Sequence, residues 1–351
     1  MAAAHDEENG ASMIEWSLSE GLRRLVSIVV TAYNQDWVLE QTLESVSAQT
    51  YRPLECVIVN DGSTDETAEV ISRFVRRRDD NLRIIVIEQE NQGAQSARNR
   101  GVHATNGEFI TFLDGDDLLA PDKSQRQMQF FESAAGASYD VVYGDAKWLV
   151  QKGNDFKTGD PVGLGAGDDA LISFLEMNRW NPPFVYLSRR KAVEATGPWD
   201  TQVRINQDFE YFLRMASKGH HFAYVPGNDG YYRKHVRPRI SQAGIQLRAR
   251  DTLSILTNAE RCMQQHRLLT AERQKALSWA YRSVSCWAFQ HDRALWKESL
   301  AHALRVYPDI EPRNILGRAL QSSLGPWRSE WVLGMLRPAK QQLRAAEDRA
   351  F

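Results

Sequence analysis

At 351 residues the chain has room for one large domain and a smaller one, and its 42% hydrophobic and 25% charged residues exclude global disorder. A net charge of -2 argues against a general nucleic-acid binder. Three widely spaced cysteines, Cys56, Cys262 and Cys286, make neither a disulfide framework nor a zinc pattern, and no apolar run approaches the roughly 20 residues needed to cross a bilayer.

Residues 1–23 are acidic, lack the basic and apolar regions of a signal peptide, and read as a mobile leader. Leu25–Ala32 is short, apolar and β-branched, which predicts a strand covered on both faces. Trp37–Ala48 has helical spacing, with Asp36 placed to cap it. Leu54–Val59 is a second buried strand. Ser63 with Glu66 three residues later is a capping-box pattern, so a helix is expected to start there. Leu82–Ile87 reads as a third strand, Ala94–His103 as a helix opened by Gly93, and Phe109–Leu113 as a fourth strand. Strand and helix alternating through short turns imply right-handed crossovers and a mainly parallel sheet flanked by helices.

Beyond about residue 140 the alternation weakens. Val141–Tyr143 and Phe222–Val225 read as short strands, Gly153–Gly167 as a Gly- and Asp-rich loop, and Asp208–Lys218 as a helix stopped by Gly219. Tyr231–Ser241 is polar and basic and reads as a loop over a site. From 246 to 348 the pattern is helical, broken at prolines. Charge divides the same way, with about 17 Lys/Arg against about 10 Asp/Glu in residues 246–351 and an acidic excess before them.

In parallel α/β sheets, ligands sit beyond the carboxyl ends of the strands. Thr31, Tyr33, Asp61, Asp114 and Asp116 all fall on that rim. Crowded carboxylates repel unless a cation or a proton offsets their charge, and hard oxygen ligands suit Mg²⁺ or Mn²⁺. Asp114-Gly115-Asp116-Asp117 is therefore a metal candidate, or else an acidic turn capping the next helix. Asp61 either caps a helix or accepts a hydrogen bond from a nucleobase or ribose. Arg98 is a surface arginine or a diphosphate contact. Asp208 is a helix-start residue or a general base. His235, amid Arg233, Lys234, Arg237 and Arg239, is a polar loop residue or completes a metal site.

Taken together, VSIVVTAYN at 26–34, LECVIVNDGSTDET at 54–67, NQGAQSARNRG at 91–101, GEFITFLDGDD at 107–117, TGPWD at 196–200, INQDFEYFLRM at 205–215 and YYRKH at 231–235 resemble the family 2 glycosyltransferases with a GT-A fold. The resemblance spans roughly residues 24–242. It implies an α/β GT-A domain and an inverting transfer from a nucleoside-diphosphate sugar, UDP by family habit, assisted by Mn²⁺ or Mg²⁺. Carried over by position, Thr31, Tyr33 and Asp61 would hold the nucleoside and Arg98 would lie beside the nucleotide. Asp114 would contact ribose or metal, Asp116 and His235 would bind the metal, and Asp208 would be the base. Gln207-Asp208 departs from the family's frequent Glu-Asp pair. A Gln-x-x-Arg-Trp motif is absent, so one sugar per encounter is expected. A sugar nucleotidyltransferase or a non-catalytic nucleotide-sugar binder are the alternatives.

The expected division is a leader at 1–23, a catalytic domain at 24–245 and a helical region at 246–351. In the last, Trp279, Tyr281, Trp287, Phe289, Leu295 and Trp296 read as packing residues. The tail Trp327–Arg349 mixes apolar and basic groups, as a membrane-surface, docking or dimerisation helix does. The acceptor is open among lipid-linked glycan, polysaccharide end and protein. The expected location is the cytoplasm, with peripheral contact at the inner face of the membrane through the C-terminal helix and oligomerisation as open options.

Overall fold

The computed structural model describes residues 24–77, 82–152, 155–163, 165–176, 181–234 and 244–308, with a few single positions between 323 and 332. The expected leader, His235 and nearly all of the tail Trp327–Arg349 lie outside the described residues.

The chain divides into two compact units, one of residues 1–170 and 178–238, the other of residues 171–177 and 239–351. The first is built on a nine-stranded mixed sheet. Its N-terminal half is parallel. β1 (Val26–Ala32) pairs with β2 (Leu54–Asp61) and with β4 (Phe109–Asp114), and β2 pairs with the edge strand β3 (Leu82–Gln89). Every residue of β1 and β2 is buried, which explains their unbroken apolar runs. The helices α1 (Leu39–Ser47), α2 (Thr67–Arg76) and α3 (Ala94–Ala104) are the crossovers. α3 lies close on the sheet because Gly101 has no side chain: a Cβ there would sit 3.3 Å from Val59 Cγ2.

The other half of the sheet is mixed, and several sequence expectations are corrected here. After the two-residue β5 (Leu118–Leu119) and α4 (Lys123–Glu132), the strand expected at Val141–Tyr143 runs on as β6 (Val141–Lys152). The expected loop 153–167 contains β7 (Asp155–Val162), an antiparallel partner of β6. Its sequence, DFKTGDPV, lacks apolar alternation because it pairs only on one side and residues Lys157–Asp160 are exposed. α5 (Ala170–Leu175), β8 (Leu187–Arg189) and α6 (Arg190–Thr196) follow. α7 (Gln207–Ser217) ends before Gly219 at φ 91°. β9 (Phe222–Lys234) runs parallel to β6 well past the expected Val225, so Tyr231–Lys234 is strand rather than loop.

The helix starts also differ. Ser63 bonds Asn60 Oδ1 instead of capping α2, whose first turn is held by Asp65 through Thr67 N and Oγ1 at 3.0 and 2.5 Å. Asp36 does not cap α1, and its N–H donates to Asp65 Oδ2 at 3.3 Å.

In the second unit α8 (Ile245–Gln265), α9 (Ala271–Ala288) and α10 (Arg293–Val306) are joined by one buried carboxylate. Glu260 accepts from Tyr281 Oη at 2.7 Å and from Arg305 Nη1 and Nη2 at 2.8 and 2.9 Å. Tyr281, Phe289, Leu295 and Trp296 are buried, and Trp279 and Trp287 are half-buried. Among the described residues no helix is long and apolar enough to cross a membrane.

Candidate active site

The parallel ladder sets the rim. Thr31 is in register with Val59 on β2 and Asp114 on β4, and its carbonyl accepts from Gly115 N at 2.9 Å. Just past β1, Tyr33 is 47% exposed. Next to it Asn34 takes a left-handed backbone at φ 53°, and its side chain accepts from Thr64 N at 2.8 Å. That bond ties the β1 and β2 loops together.

Asp61 closes β2 and is buried. Its Oδ1 accepts from Gln89 Nε2 at 2.6 Å and Gln92 N at 2.9 Å, and its Oδ2 from Gly93 N at 2.9 Å. The carboxylate therefore organises the loop that launches α3.

From α3, Arg98 reaches the end of β4. Arg98 is 3% exposed, and its guanidinium stands 4.4 Å over the ring of Trp199. Nη2 donates to Asp114 Oδ1 at 2.6 Å, Nη1 donates to Gln207 Oε1 at 3.1 Å, and Asp208 Oδ1 lies 3.8 Å from Nη2. Burial works against the charge, but Asp114 and Asp208 overcome it and hold Arg98 above its usual range. Trp199 is a rigid floor. It stacks on Tyr211 at 4.1 Å, meets Phe112 edge-on at 5.0 Å, and exchanges two backbone bonds with the Asn99 side chain. Arg214 fastens the segment leading to it, through Thr196 O at 2.6 Å and Pro198 O at 2.8 Å.

Asp208 enters from the first turn of α7, whose preceding residue Asn206 is left-handed at φ 60°. Burial pushes the Asp208 carboxyl up to about 7, with Arg98 pulling it down and Asp114 pushing it up, even though 30% of the side chain stays open to solvent. A carboxyl poised near neutrality suits a general base. Gln207 meets Arg98 with a neutral oxygen, so no third carboxylate loads that guanidinium.

The acidic turn itself is tightly built. A Cβ on Gly115 would fall 2.9 Å from Thr31 O. Asp117 is buried, with Oδ1 accepting from Arg233 N at 2.9 Å, and Arg233 Nε donates to Asp116 O at 2.7 Å. Burial, then Asp116 and Asp114, push Asp117 well above the usual carboxylate range. Among the described residues no group of three or more His, Cys, Asp or Glu side chains is placed to hold a metal ion. By donor chemistry alone, the hard carboxylate oxygens of Asp114 and Asp116 would suit a divalent cation that takes its remaining ligands from substrate phosphates.

The geometry thus brings together Asp114, Asp208 and Arg98, and places Asp61 at the head of the helix carrying Arg98. Sequence reasoning gave no role to Trp199 or Asn99, and took Asp117 only as a member of the acidic cluster and Arg233 only as a member of the basic run. Tryptophan and asparagine in TGPWD and SARNR were the only local signals for the first pair.

Residues 27–159 match the family model described as Glycosyl transferase family 2. Among similar proteins, an uncharacterized glycosyltransferase of Nostoc sp., alr2836, is 36% identical over 182 residues, 50% of this chain and 54% of that protein. Glycosyltransferase GlyG of Streptococcus pneumoniae is 35% identical over 125 residues, 35% of this chain and 40% of that one. The chain spans about half the length of such curated relatives, or less. Of solved structures, S. aureus TarS 1–349 in complex with UDP-GlcNAc superposes with a TM-score of 0.57 at 18% identity, over 91% of this chain and 87% of that one. The same protein with UDP also gives 0.57, at 16% identity, over 92% and 91% of the two chains.

Proposed function

Because the chain belongs to glycosyltransferase family 2 through residues 27–159, we propose that it moves a sugar from a nucleoside-diphosphate sugar, UDP-linked by preference, to an acceptor hydroxyl with inversion. One observation carries the reading. Arg98 contacts Asp114 at 2.6 Å and Asp208 at 3.8 Å, so a strand end suited to the donor and a helix start suited to a base meet at one guanidinium. TarS, which shares the fold, was crystallised with UDP-GlcNAc and with UDP, which supports a UDP donor.

In this reading Thr31, Tyr33 and Asp61 hold the nucleoside and Asp114 its ribose. Asp116, with His235, would hold Mn²⁺ or Mg²⁺, which when bound supplies positive charge to the departing diphosphate. Ionised Asp208 accepts the proton of the acceptor hydroxyl. The freed oxygen forms a bond to the anomeric carbon from the face opposite the diphosphate. The anomeric C–O bond to the diphosphate breaks, its electron pair leaves as nucleoside diphosphate, and the proton on Asp208 passes to solvent. Arg98 favours the ionised form of Asp208 and keeps it aimed by its pairing with Asp114 and its seat on Trp199. One sugar is transferred per encounter. The acceptor is a glycan, a lipid-linked glycan or a protein.

A thermal-shift panel of nucleotide-sugars with Mn²⁺ tests the donor class, since a ligand bound only by the folded state raises apparent stability. At least one UDP-sugar should raise the melting temperature. A panel with no responder would remove the donor from this reading.

A further inference from the structure

Arg233 lies at the end of β9, buried to 1% exposure, and makes a reciprocal pair of bonds with the acidic turn. Its backbone N–H donates to the carboxylate of Asp117 at 2.9 Å, while its side-chain Nε donates to the backbone carbonyl of Asp116 at 2.7 Å. Nη2 extends to Gln41 Oε1 on α1 at 3.0 Å. The turn holds the strand and the strand holds the turn. Only a guanidinium presents Nε and Nη donors at fixed angles to two separate acceptors; a lysine ammonium at the same place would meet one of them.

We propose that Arg233 is a positioning residue which, with Asp117, clasps β9 to the acidic turn and fixes Asp116 for its divalent cation. This rests on the metal role given to Asp116 above. One consequence follows from the proposal. Asp117 is a structural acceptor whose Oδ1 is committed to β9, which leaves Asp116 as the metal ligand of the two adjacent aspartates.

The test uses the full chain as wild type, Arg233→Met, Arg233→Lys, Asp117→Asn, Asp116→Asn and Gln41→Leu. Mn²⁺ binding is read by electron paramagnetic resonance of the free ion, and UDP binding in EDTA by calorimetry. Residues that orient a ligand from behind typically contribute about 10–100-fold to metal affinity. Arg233→Met should therefore weaken Mn²⁺ binding about tenfold or more, with metal-free UDP binding within about twofold of wild type. Arg233→Lys should recover part of the loss. Asp117→Asn keeps an oxygen for Arg233 N and should stay near wild type, whereas Asp116→Asn should lose Mn²⁺. Gln41→Leu, at an exposed position, gives a smaller loss and serves if Arg233→Met fails to fold. Mn²⁺ affinity unchanged in folded Arg233→Met or, failing that, in Gln41→Leu overturns the clasp alone. An Asp117→Asn loss as complete as that of Asp116→Asn overturns it too, by making Asp117 a ligand. Wild type that binds no Mn²⁺ even with UDP instead overturns the metal reading beneath it.

Discussion

Asp114 and Asp208 share one guanidinium: Arg98 Nη2 stands 2.6 Å from the first and 3.8 Å from the second. The contact joins the end of β4 to the start of α7, elements that are distant in the chain. Whatever charge gathers at Asp114 is therefore felt at Asp208 through a single buried cation.

The base role makes Asp208→Asn the sharpest lesion. It removes the proton acceptor while keeping size and polarity. Transfer should fall by about 10²–10⁴-fold, the usual worth of general-base catalysis. Donor affinity, measured separately by calorimetry, should stay within about twofold. Turnover close to wild type would take the role away from Asp208.

The pH dependence has a definite sign. A base works only when ionised, so kcat/KM should climb as pH rises through about 7, where burial has raised the Asp208 carboxyl. Stability runs the opposite way. The folded carboxyl holds its proton more tightly than the unfolded one, whose pKa is about 3.9. Its stabilising contribution is complete below about pH 4 and is lost as pH rises through about 7. Urea titrations across that range should show the decline in wild type and a smaller one in Asp208→Asn. Identical slopes would mean that another group titrates.

Arg98→Ala would leave Asp114 and Asp208 without their cation and Trp199 without its charged partner. Removing one member of a buried pair costs about 3–5 kcal/mol. With the group that lowers it gone, the Asp208 carboxyl should also move up, carrying the acid limb of kcat/KM to higher pH. Arg98→Lys keeps the charge and loses the second hydrogen bond, so it should fall between. Denaturation midpoints together with rate–pH profiles check both effects.

Asp61→Ala deletes the acceptor for Gln89, Gln92 and Gly93. The loop opening α3 should loosen, raising the donor KM about tenfold and changing kcat little, because the base and Arg98 keep their partners. Steady-state kinetics with saturating acceptor separates the two parameters. A pure kcat defect would place Asp61 elsewhere in the chemistry.

Much of this was legible in the sequence where local patterns and local structure agree. LVSIVVTA and LECVIV are short, β-branched apolar runs of the kind that suits strands buried on both faces, and carboxylates following such strands are expected on one rim. DFKTGDPV concealed β7 because an edge strand with exposed side chains needs no alternation. The clasp was invisible for a different reason. Arg233 meets Asp116 and Asp117 across 117 and 116 residues of chain, and no spacing encodes a contact that the antiparallel β5–β9 pairing, with Leu118 opposite Tyr231, creates. Read as a polar run, Tyr231–Lys234 looked like a loop, although its alternate residues face different neighbours. Arg98 carried the right type for an anion contact, but its burial between two carboxylates and a tryptophan depends on α7, which no local motif positions.

Release of nucleoside diphosphate from UDP-sugars, followed for the full chain and for Asp208→Asn with Mn²⁺ and acceptor glycans present, tests the central claim most directly. The account predicts cation-dependent release by wild type from at least one donor, and its near-complete loss in the variant with donor binding retained. Release that persists in Asp208→Asn, or a wild type that binds UDP-sugars and never turns them over, would contradict it.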